Sequence, residues 1–222
     1  MKDMESCVQY SVSNVDINQE QMRMYVGSKF APGGYLWIFP KGDKSANIGL
    51  GISGKYSKEQ SAKRYLDKFM KDNYPNASIL TTVCGGVPCP KPMSEPIGDG
   101  LMLAGDAAHQ INPMTGGGII SGMKGGMIAG KVASESIKNK DYTKKFLKKY
   151  PQRMFKDFGK NYERFYNIKL AVNQLNDDDL NMIASSVVST PIEKRTLGTV
   201  FKKAIFKKPS LIIDVLKLFS GF

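Results

Sequence analysis

The segment GDGLMLAGDAAHQINPMTGGGI, residues 98–119, decides the fold of this 222-residue chain. Its apolar residues 101–104 form a run that suits a short strand buried on both faces, and the run stops at Gly105-Asp106. In open α/β sheets, ligands bind at the carboxyl ends of the strands. The predicted strand therefore delivers the Asp106 carboxylate to the edge where a ligand binds.

The residues around this carboxylate suit a ligand that carries hydroxyls and phosphates. An ionised Asp106 only accepts hydrogen bonds, so it suits the hydroxyls of a sugar or ribityl chain, and its small neighbours leave room for them. A proline then sets a rigid turn, and three glycines precede a predicted helix whose first N–H groups are free and carry the positive dipole end. A pyrophosphate or a flavin edge fits there. The predicted contact residues are Gly105, Asp106, Ala107, Pro113, Gly116, Gly117, Gly118 and Ile119.

This segment resembles the second FAD-contacting motif of the glutathione-reductase-type flavoproteins, and most closely that of the geranylgeranyl reductases. The similarity runs without a break from Gly98 to about Gly130. The resemblance implies that Asp106 contacts the ribityl chain of FAD, and that the glycine-opened helix faces the flavin and the pyrophosphate. The alternative is a buried strand before an unrelated glycine turn, but Gly-Asp-Ala-Ala, a proline and a triple glycine at this spacing disfavour it.

A second block, APGGYLWIFPKG at residues 31–42, narrows the family. Tyr35, Trp37 and Phe39 alternate on one face of a predicted strand, with apolar residues on the other face. The block resembles the Pro-x-x-Tyr-x-Trp-x-Phe-Pro signature of geranylgeranyl reductases, which implies that the aromatic face binds a polyprenyl chain. The alternative is a sheet face that packs on an ordinary core.

Members of this flavoprotein class begin with a β-α-β unit whose Gly-x-Gly-x-x-Gly turn holds the ADP half of FAD. The GLGISG run at residues 49–54 fits that pattern, but the polar residues 44–48 before it do not suit a buried first strand. The next helix is predicted to begin only at Ser57. The resemblance therefore covers the carboxyl-terminal half to three fifths of a full member, and a separate N-terminal half is an expected partner.

The predicted fold class is α/β (α+β), a truncated FAD-dependent fold of the glutathione-reductase type. Helices are expected from Ser57 to Asn73 and throughout the chain beyond Gly118, with caps at Asp141 and Asp177. Prolines are expected to break the later helices. Strands are predicted at about 7–15, 22–30, 35–40, 45–52 and 77–83, and the helix-breaking prolines are Pro151, Pro191 and Pro209. The expected domains are a substrate-binding sheet at 1–96, a flavin-contacting segment at 97–140 and a helical region at 141–222.

Charge is concentrated in the second part of the chain. Residues 131–222 carry a net charge of +10 out of the total of +12, and lysines alternate with aromatic residues along the predicted helices. Such a face suits an anionic membrane surface or a lipid phosphate, although solvated helix faces give the same pattern. Nucleic acid is disfavoured, because no binding module accompanies the charge. Without a membrane-spanning run or a secretion signal, the expected location is the cytoplasm, with peripheral contact at the inner face of the cell membrane.

Other chemistry receives little support from the sequence. Three cysteines do not make a disulfide framework, although Cys84 and Cys89 bracket a glycine-proline loop and are candidates for a redox pair or for lining a binding slot. His109, the single histidine, is expected to hold a hydrogen bond near the flavin rather than to act in catalysis. Neither a metal site nor a hydrolase elbow motif is predicted.

The resemblance implies FAD-dependent reduction of isolated double bonds in geranylgeranyl chains, with archaeal digeranylgeranylglycerophospholipid as the expected substrate. Reduced FAD supplies the hydride, and the protein orients FAD and the alkene. The proton donor stays open, as does the electron donor, which is a nicotinamide, a ferredoxin or a deazaflavin. Two alternatives also stay open: a flavin monooxygenase of the para-hydroxybenzoate hydroxylase type, and a non-catalytic truncated or split subunit that needs a separate ADP-binding half.

Overall fold

The computed structural model describes residues 3–195. These residues form two compact units. Residues 4–86 and 171–195 form one, called here the sheet unit, and Asp3 with residues 87–170 forms the other, called the helical unit. Each unit contains its own hydrophobic core cluster. Strands and helices both occur, which confirms the α/β class, whereas the three predicted domains stay a prediction.

The sheet unit is built on an antiparallel sheet with the strand order β2-β3-β4-β1-β5. The first four strands confirm the predicted spans to within a few residues, and the last strand is longer than predicted. The strands are β1 (Met4–Ser13), β2 (Arg23–Val26), β3 (Tyr35–Gly42), β4 (Ser45–Ser53) and β5 (Ser78–Pro88), of which residues 78–86 belong to this unit.

One face of this sheet forms the core of the unit together with helix α1 (Ala62–Asn73). Strand alternation places Leu36 and Ile38 of β3 in that core, where Leu66 of the helix joins them. The helix begins later than the predicted Ser57, because Ser61 is its N-cap and accepts a hydrogen bond from the Arg64 N–H.

The first five residues of the GLGISG run lie in β4 and Gly54 directly follows the strand, so the run is not a nucleotide-binding turn. A Cβ built on Gly49 would lie 2.5 Å from Cζ2 of Trp37 and 2.7 Å from the Val8 carbonyl oxygen. Gly49 therefore makes room for the indole, so packing of a neighbouring side chain explains this glycine.

The helical unit contains the segment from which the sequence analysis started. Its strands are shorter than expected, because residues 101–104 contribute only Leu101 and Met102 to a two-residue antiparallel pair. Leu101 is 52% exposed, so the prediction of a strand buried on both faces is wrong. The pair has no further strand beside it among the described residues, and so small a sheet is not covered on both of its faces. The elements are β6 (Ile97–Gly98), β7 (Leu101–Met102), a 3-10 turn (Gly105–Ala108), α2 (Ile119–Asn139), α3 (Lys144–Leu147), α4 (Lys149–Met154), a π-helical turn (Phe155–Gly159) and α5 (Lys160–Val172).

The helix break expected at Pro151 falls at Lys148, between α3 and α4. A proline ring clashes with the carbonyl group four residues earlier, here that of Leu147, and the proline lacks the N–H that would bond to it. The predicted cap at Asp141 is wrong, because Thr143 caps α3 by accepting a hydrogen bond from the Phe146 N–H. Asp141 instead accepts hydrogen bonds from Thr143.

Helix α6 (Asp177–Val188) follows in the sheet unit. The predicted cap at Asp177 is also wrong: Asn176 is the N-cap and forms a capping box with Asp179. Asp177 accepts hydrogen bonds from the backbone N–H and the hydroxyl of Ser28 instead. The predicted break at Pro191 does follow the end of α6, and Pro209 lies outside the described residues.

Candidate functional site

The structure brings Asp106 and the start of α2 together within the helical unit. Gly105 has a φ of +65°, which turns the chain out of β7 and into the 3-10 turn that carries the exposed Asp106. The Asp106 Oδ1 atom lies 3.4 Å from where a Cβ on Gly118, the N-cap of α2, would be. A carboxylate thus stands beside the helix mouth, as the spacing of the sequence predicts.

The N-terminus of α2 has no side-chain cap and no acidic residue in its first turn. Its first hydrogen bond runs from the Gly122 N–H to the Gly118 carbonyl at 2.8 Å, so the N–H groups of residues 119–121 have no acceptor within the helix. Ile119 and Ile120 are exposed. The positive end of a 21-residue helix is therefore open to an anionic group.

The loop that leads into α2 is held by Asn112, which the sequence analysis did not single out. Its N–H donates to the Gly117 carbonyl at 2.9 Å, and its carbonyl accepts from the Gly116 N–H at 2.9 Å. Its side-chain oxygen also accepts from the Met114 N–H at 3.0 Å. The following Pro113 is buried. An asparagine before a proline is a common turn signal, so the sequence did contain this information.

An added side chain at Gly118 would crowd its neighbours at the helix mouth. A Cβ there would lie 3.1 Å from Ile111 Cγ1 as well as close to Asp106. The site combines an acceptor for hydroxyls with unpaired N–H donors for phosphate or for the flavin ring edge, which is the donor set that a flavin nucleotide requires. Gly105, Asp106, Ala107 and residues 116–119 thus fit the group that the sequence implies.

Other residues considered from the sequence lie elsewhere or act differently. His109 ends the 3-10 turn in the left-handed conformation, and its imidazole forms no hydrogen bond with residues 3–195, so the expected hydrogen bond is absent there. Cys84 is exposed in the sheet unit, Cys89 is buried in the helical unit, and both are free thiols. Their redox role stays a prediction.

The third cysteine, Cys7, has a thiol whose pKa is raised to about 11 by burial, with a smaller effect of Glu5.

The aromatic face of β3 lies in the sheet unit and is not part of its core. Tyr35, Trp37 and Phe39 are each half-buried, whereas the alternating Leu36 and Ile38 fill the core. The ring centroids of Tyr35 and Trp37 are 5.6 Å apart, and Trp37 stacks on Phe39 at 6.1 Å. Strand β3 therefore has a fully buried aliphatic side and a half-buried aromatic side, and the role of the aromatic side stays a prediction.

The orientation of Trp37 is fixed by two residues that the sequence analysis did not assign to the site. The indole Nε1–H donates to the Gln9 side-chain oxygen at 3.0 Å, and Gly49 provides the space beneath the ring. A tryptophan that is hydrogen-bonded at its polar edge presents the rest of its ring as a fixed apolar surface. This face is suited to an extended hydrocarbon chain.

In the part of the chain that the structure describes, no three His, Cys, Asp or Glu side chains cluster as metal ligands would. Within residues 3–195, no helix has the length and apolar character needed to cross a bilayer.

Comparison with known proteins identifies relatives of this chain. Residues 3–87 match the family model of the geranylgeranyl reductase catalytic domain. The chain is 37% identical over 218 residues to the digeranylgeranylglycerophospholipid reductase of Methanocella arvoryzae, and the alignment covers 98% of this chain and 56% of that protein. It is 43% identical over 203 residues to digeranylgeranylglycerophospholipid reductase 1 of Methanococcoides burtonii, covering 91% of this chain and 50% of that protein. The chain thus spans about half the length of the curated relatives it matches.

Solved structures agree with these relatives. A crystal structure from Thermoplasma acidophilum, described as geranylgeranyl bacteriochlorophyll reductase-like, aligns with 98% of this chain and 55% of its own, at 32% identity and a TM-score of 0.87. A flavoprotein/dehydrogenase from Cytophaga hutchinsonii aligns with 98% of this chain and 56% of its own at a TM-score of 0.55, but at 16% identity it shows the fold alone. The predicted fold is therefore confirmed, and the chain belongs to the geranylgeranyl reductase family.

Proposed function

We propose that this protein serves the FAD-dependent reduction of isolated double bonds in the geranylgeranyl chains of archaeal membrane-lipid precursors. The observation that carries the proposal is the Asp106 carboxylate beside the uncapped N-terminus of α2. The names of the relatives support digeranylgeranylglycerophospholipid as the substrate. Because these relatives are reductases, they favour reduction over the monooxygenase alternative.

Different residues of the helical unit are proposed to bind different parts of FAD. Asp106 accepts hydrogen bonds from hydroxyls of the ribityl chain, and the N–H groups of residues 119–121 donate to a phosphate or to the flavin ring. Gly116 and Gly117 keep the approach to these N–H groups free of side chains. When bound, FAD supplies the hydride that an alkene carbon receives. The protein contributes orientation and a fixed electrostatic environment.

The FAD site is tested by titrating the protein with FAD and following flavin fluorescence. We expect Asp106→Ala to weaken FAD binding about tenfold or more, because a hydrogen bond to a charged acceptor is lost. Asp157→Asn is the matched control, since this aspartate also lies in the helical unit but forms a surface ion pair with Lys124. Equal affinity of the wild type and Asp106→Ala would contradict the assignment.

The aromatic face of β3 is the proposed binding surface for the polyprenyl chain. Trp37 is the single tryptophan of the chain, so its fluorescence reports on this face alone. We expect a geranylgeranyl lipid to change the intensity and the emission maximum of Trp37. A lipid with the same head group and a short acyl chain should leave both unchanged. No response to the long chain would remove this surface from the proposal.

Basic residues of the helical unit support peripheral contact with the inner, cytoplasmic face of the membrane. Lys138, Lys140 and Lys145 are exposed around the connection between α2 and α3, and the exposed Tyr142 lies among them. A cation near an anionic surface contributes about 1 kcal/mol. We expect binding to phosphatidylglycerol vesicles but not to phosphatidylcholine vesicles, with release by salt. Charge reversal at Lys138 and Lys145 should weaken this binding; if it does not, another surface makes the contact.

The proposed electron donor is a nicotinamide, a ferredoxin or a deazaflavin.

A second candidate function is that of a subunit which needs a separate ADP-binding half. One face of α2 favours it, because four apolar side chains there are each at least 61% exposed and such patches mark interaction surfaces. These residues are Ile119, Ile120, Met123 and Met127. We expect the chain alone to bind FAD weakly, and to bind it tightly when the part of the Methanocella relative that this chain does not match is added. Tight stoichiometric FAD in the chain alone would refute this candidate.

A further inference from the structure

A set of three linked hydrogen bonds, centred on the buried Gln110 and Tyr150 side chains, holds the backbone at the start of the Asp106 turn. Gln110 is fully buried, and its Oε1 accepts from the Gly105 N–H at 2.8 Å. Its Nε2 donates to the hydroxyl of Tyr150 at 2.6 Å, and that hydroxyl donates to the Leu103 carbonyl at 2.8 Å. This set of hydrogen bonds therefore begins and ends on the backbone of the two residues that flank Ala104.

The chemistry of the partners fixes the direction of each hydrogen bond. A backbone N–H can only donate, so the Gln110 amide must present its oxygen to Gly105 and its nitrogen to Tyr150. The Tyr150 hydroxyl then has its own hydrogen free for Leu103. Burial raises the pKa of Tyr150 more than the hydrogen bond from Gln110 lowers it, so the hydroxyl keeps this hydrogen.

Helix α2 is shaped around the same amide. A Cβ on Gly125 would lie only 1.9 Å from Gln110 Oε1, so any larger residue at this position would force the Gln110 amide to move. The hydroxyl of Ser121 donates to the Gln110 backbone carbonyl. The Gln110 side chain is thus enclosed between α2, which presents its N-terminus to the ligand, and α4, which carries Tyr150.

We propose that Gln110 and Tyr150 are positioning residues that hold the Asp106 carboxylate beside the N-terminus of α2; the inference rests on the proposed FAD site. The turn needs such support because His109 has a left-handed backbone conformation at φ +54°, which costs energy for a non-glycine residue, and because Gly105, at φ +65°, has the wide conformational freedom of a glycine. Gly105 immediately precedes Asp106. Loss of its hydrogen bond to Gln110 frees the turn, and the carboxylate moves away from the helix mouth.

A double-mutant cycle with FAD affinity as the readout tests the inference. Tyr150→Phe removes the hydroxyl and should weaken FAD binding about fivefold, the usual effect of one hydrogen bond. In an Asp106→Asn background the same change should alter FAD affinity less than twofold, because the residue through which Tyr150 acts has already lost its charge. Equal losses in both backgrounds would overturn the inference. A merely structural tyrosine lowers stability alike in both backgrounds and shows no such coupling.

Two further variants complete the test: one is a control, and the other moves the Gln110 amide. Tyr162→Phe is the matched control, since Tyr162 packs against the core of the same unit and its hydroxyl bonds to none of residues 3–195. It should leave FAD affinity unchanged. Gly125→Ala displaces the Gln110 amide without deleting a polar group, and should weaken FAD binding as Tyr150→Phe does. Normal FAD binding by Gly125→Ala would count against the inference.

Amide hydrogen exchange separates failure of this inference from failure of the proposed function. In Tyr150→Phe, the Gly105 amide should exchange at least about tenfold faster than in the wild type, while amides in the middle of α1 keep their rates. An unchanged rate at Gly105 would overturn the positioning role even if FAD binds. A wild-type chain that takes up no FAD would contradict the proposed function, and the exchange rates would still decide whether the pair holds the turn.

Discussion

At the scale of the residue, two glycines determine where the site has room. Gly118 leaves space between Ile111 and Asp106 at the mouth of α2, and Gly49 leaves space beneath Trp37 in the sheet. Neither has a positive φ. Gly49 is therefore required because a side chain has no room there, and at Gly118 a side chain would crowd Ile111 and Asp106; neither position needs a special backbone conformation.

The substitution Gly49→Ala tests this requirement. Its Cβ would overlap both the indole of Trp37 and the Val8 carbonyl oxygen, so we expect a loss of about 1–3 kcal/mol in unfolding free energy and a shifted Trp37 emission maximum. Gly85→Ala, in the exposed β5 where a Cβ meets nothing within 4 Å, should change neither quantity. Chemical denaturation followed by tryptophan fluorescence measures both. Equal unfolding free energies and emission maxima in the two variants would show that the Trp37 indole moves aside without loss of stability.

The Asp177 carboxylate gives a pH dependence at the same scale. Hydrogen bonds from the Ser28 side chain and backbone hold the pKa of Asp177 below its ordinary 3.8. A group whose folded-state pKa is depressed contributes stability above the unfolded-state pKa and loses it as pH falls through the folded-state pKa. We therefore expect Asp177→Asn to flatten the acid limb of the stability curve below about pH 4. If the unfolding free energies of wild type and variant fall equally with pH in this range, the Asp177 hydrogen bonds do not cause the pH dependence.

At the scale of the element, helix ends decide where the secondary structure stops and starts. Helix α2 leaves its N-terminus uncapped, and α6 begins with a complete capping box at Asn176 and Asp179. The two ends have opposite uses. A capped end contributes stability, and an end without a cap leaves N–H groups available to a ligand.

The capping box predicts the effect of one substitution. Asn176→Ala should lower the unfolding free energy of the sheet unit by about 1 kcal/mol, because the Asp179 N–H loses its acceptor. Asn181→Ala, at an exposed position inside α6, should be neutral or slightly stabilising since alanine favours helix. Circular dichroism during urea unfolding distinguishes them. A neutral Asn176→Ala would mean that water caps the helix equally well.

At the scale of the whole molecule, residues 3–195 contain two hydrophobic core clusters. One cluster surrounds the sheet and α1, and the other joins α2 to the helices that follow it. Because each core is a separate set of buried side chains, each unit is expected to have its own stability. Trp37 lies in the sheet unit, so its fluorescence follows that unit alone.

We therefore expect two unfolding transitions. Leu66 is fully buried in the sheet core, and Leu66→Ala should lower the midpoint of the fluorescence transition by an amount equivalent to about 2–5 kcal/mol. Val132→Ala, in the other core, should leave that midpoint in place and shift the remaining transition in circular dichroism. A single transition that both variants shift equally would show one cooperative unit.

Much of the site followed from local sequence signals. Backbone rules place the glycine-opened helix after a turn at Asp106, and alternation places Tyr35, Trp37 and Phe39 on one side of a strand. These features depend on residues a few positions apart. The four early strands were predictable for the same reason, while the helix start moved from Ser57 because Ser61 supplies the better cap.

Tertiary structure alone decided which long-range partners complete the site. No local sequence pattern around Gln110 indicates that its side chain contacts Tyr150, forty residues later. Nor does any local pattern indicate that Gly125 leaves room for the Gln110 amide. The exposure of Leu101 likewise depends on how few strands flank it, and the roles of Asp141 and Asp177 depend on neighbours that compete with capping. The sequence by itself determined the local geometry, because backbone sterics and side-chain alternation act over a few residues. Burial and hydrogen-bond pairing were decided only by the fold, because they require residues distant in the chain to meet.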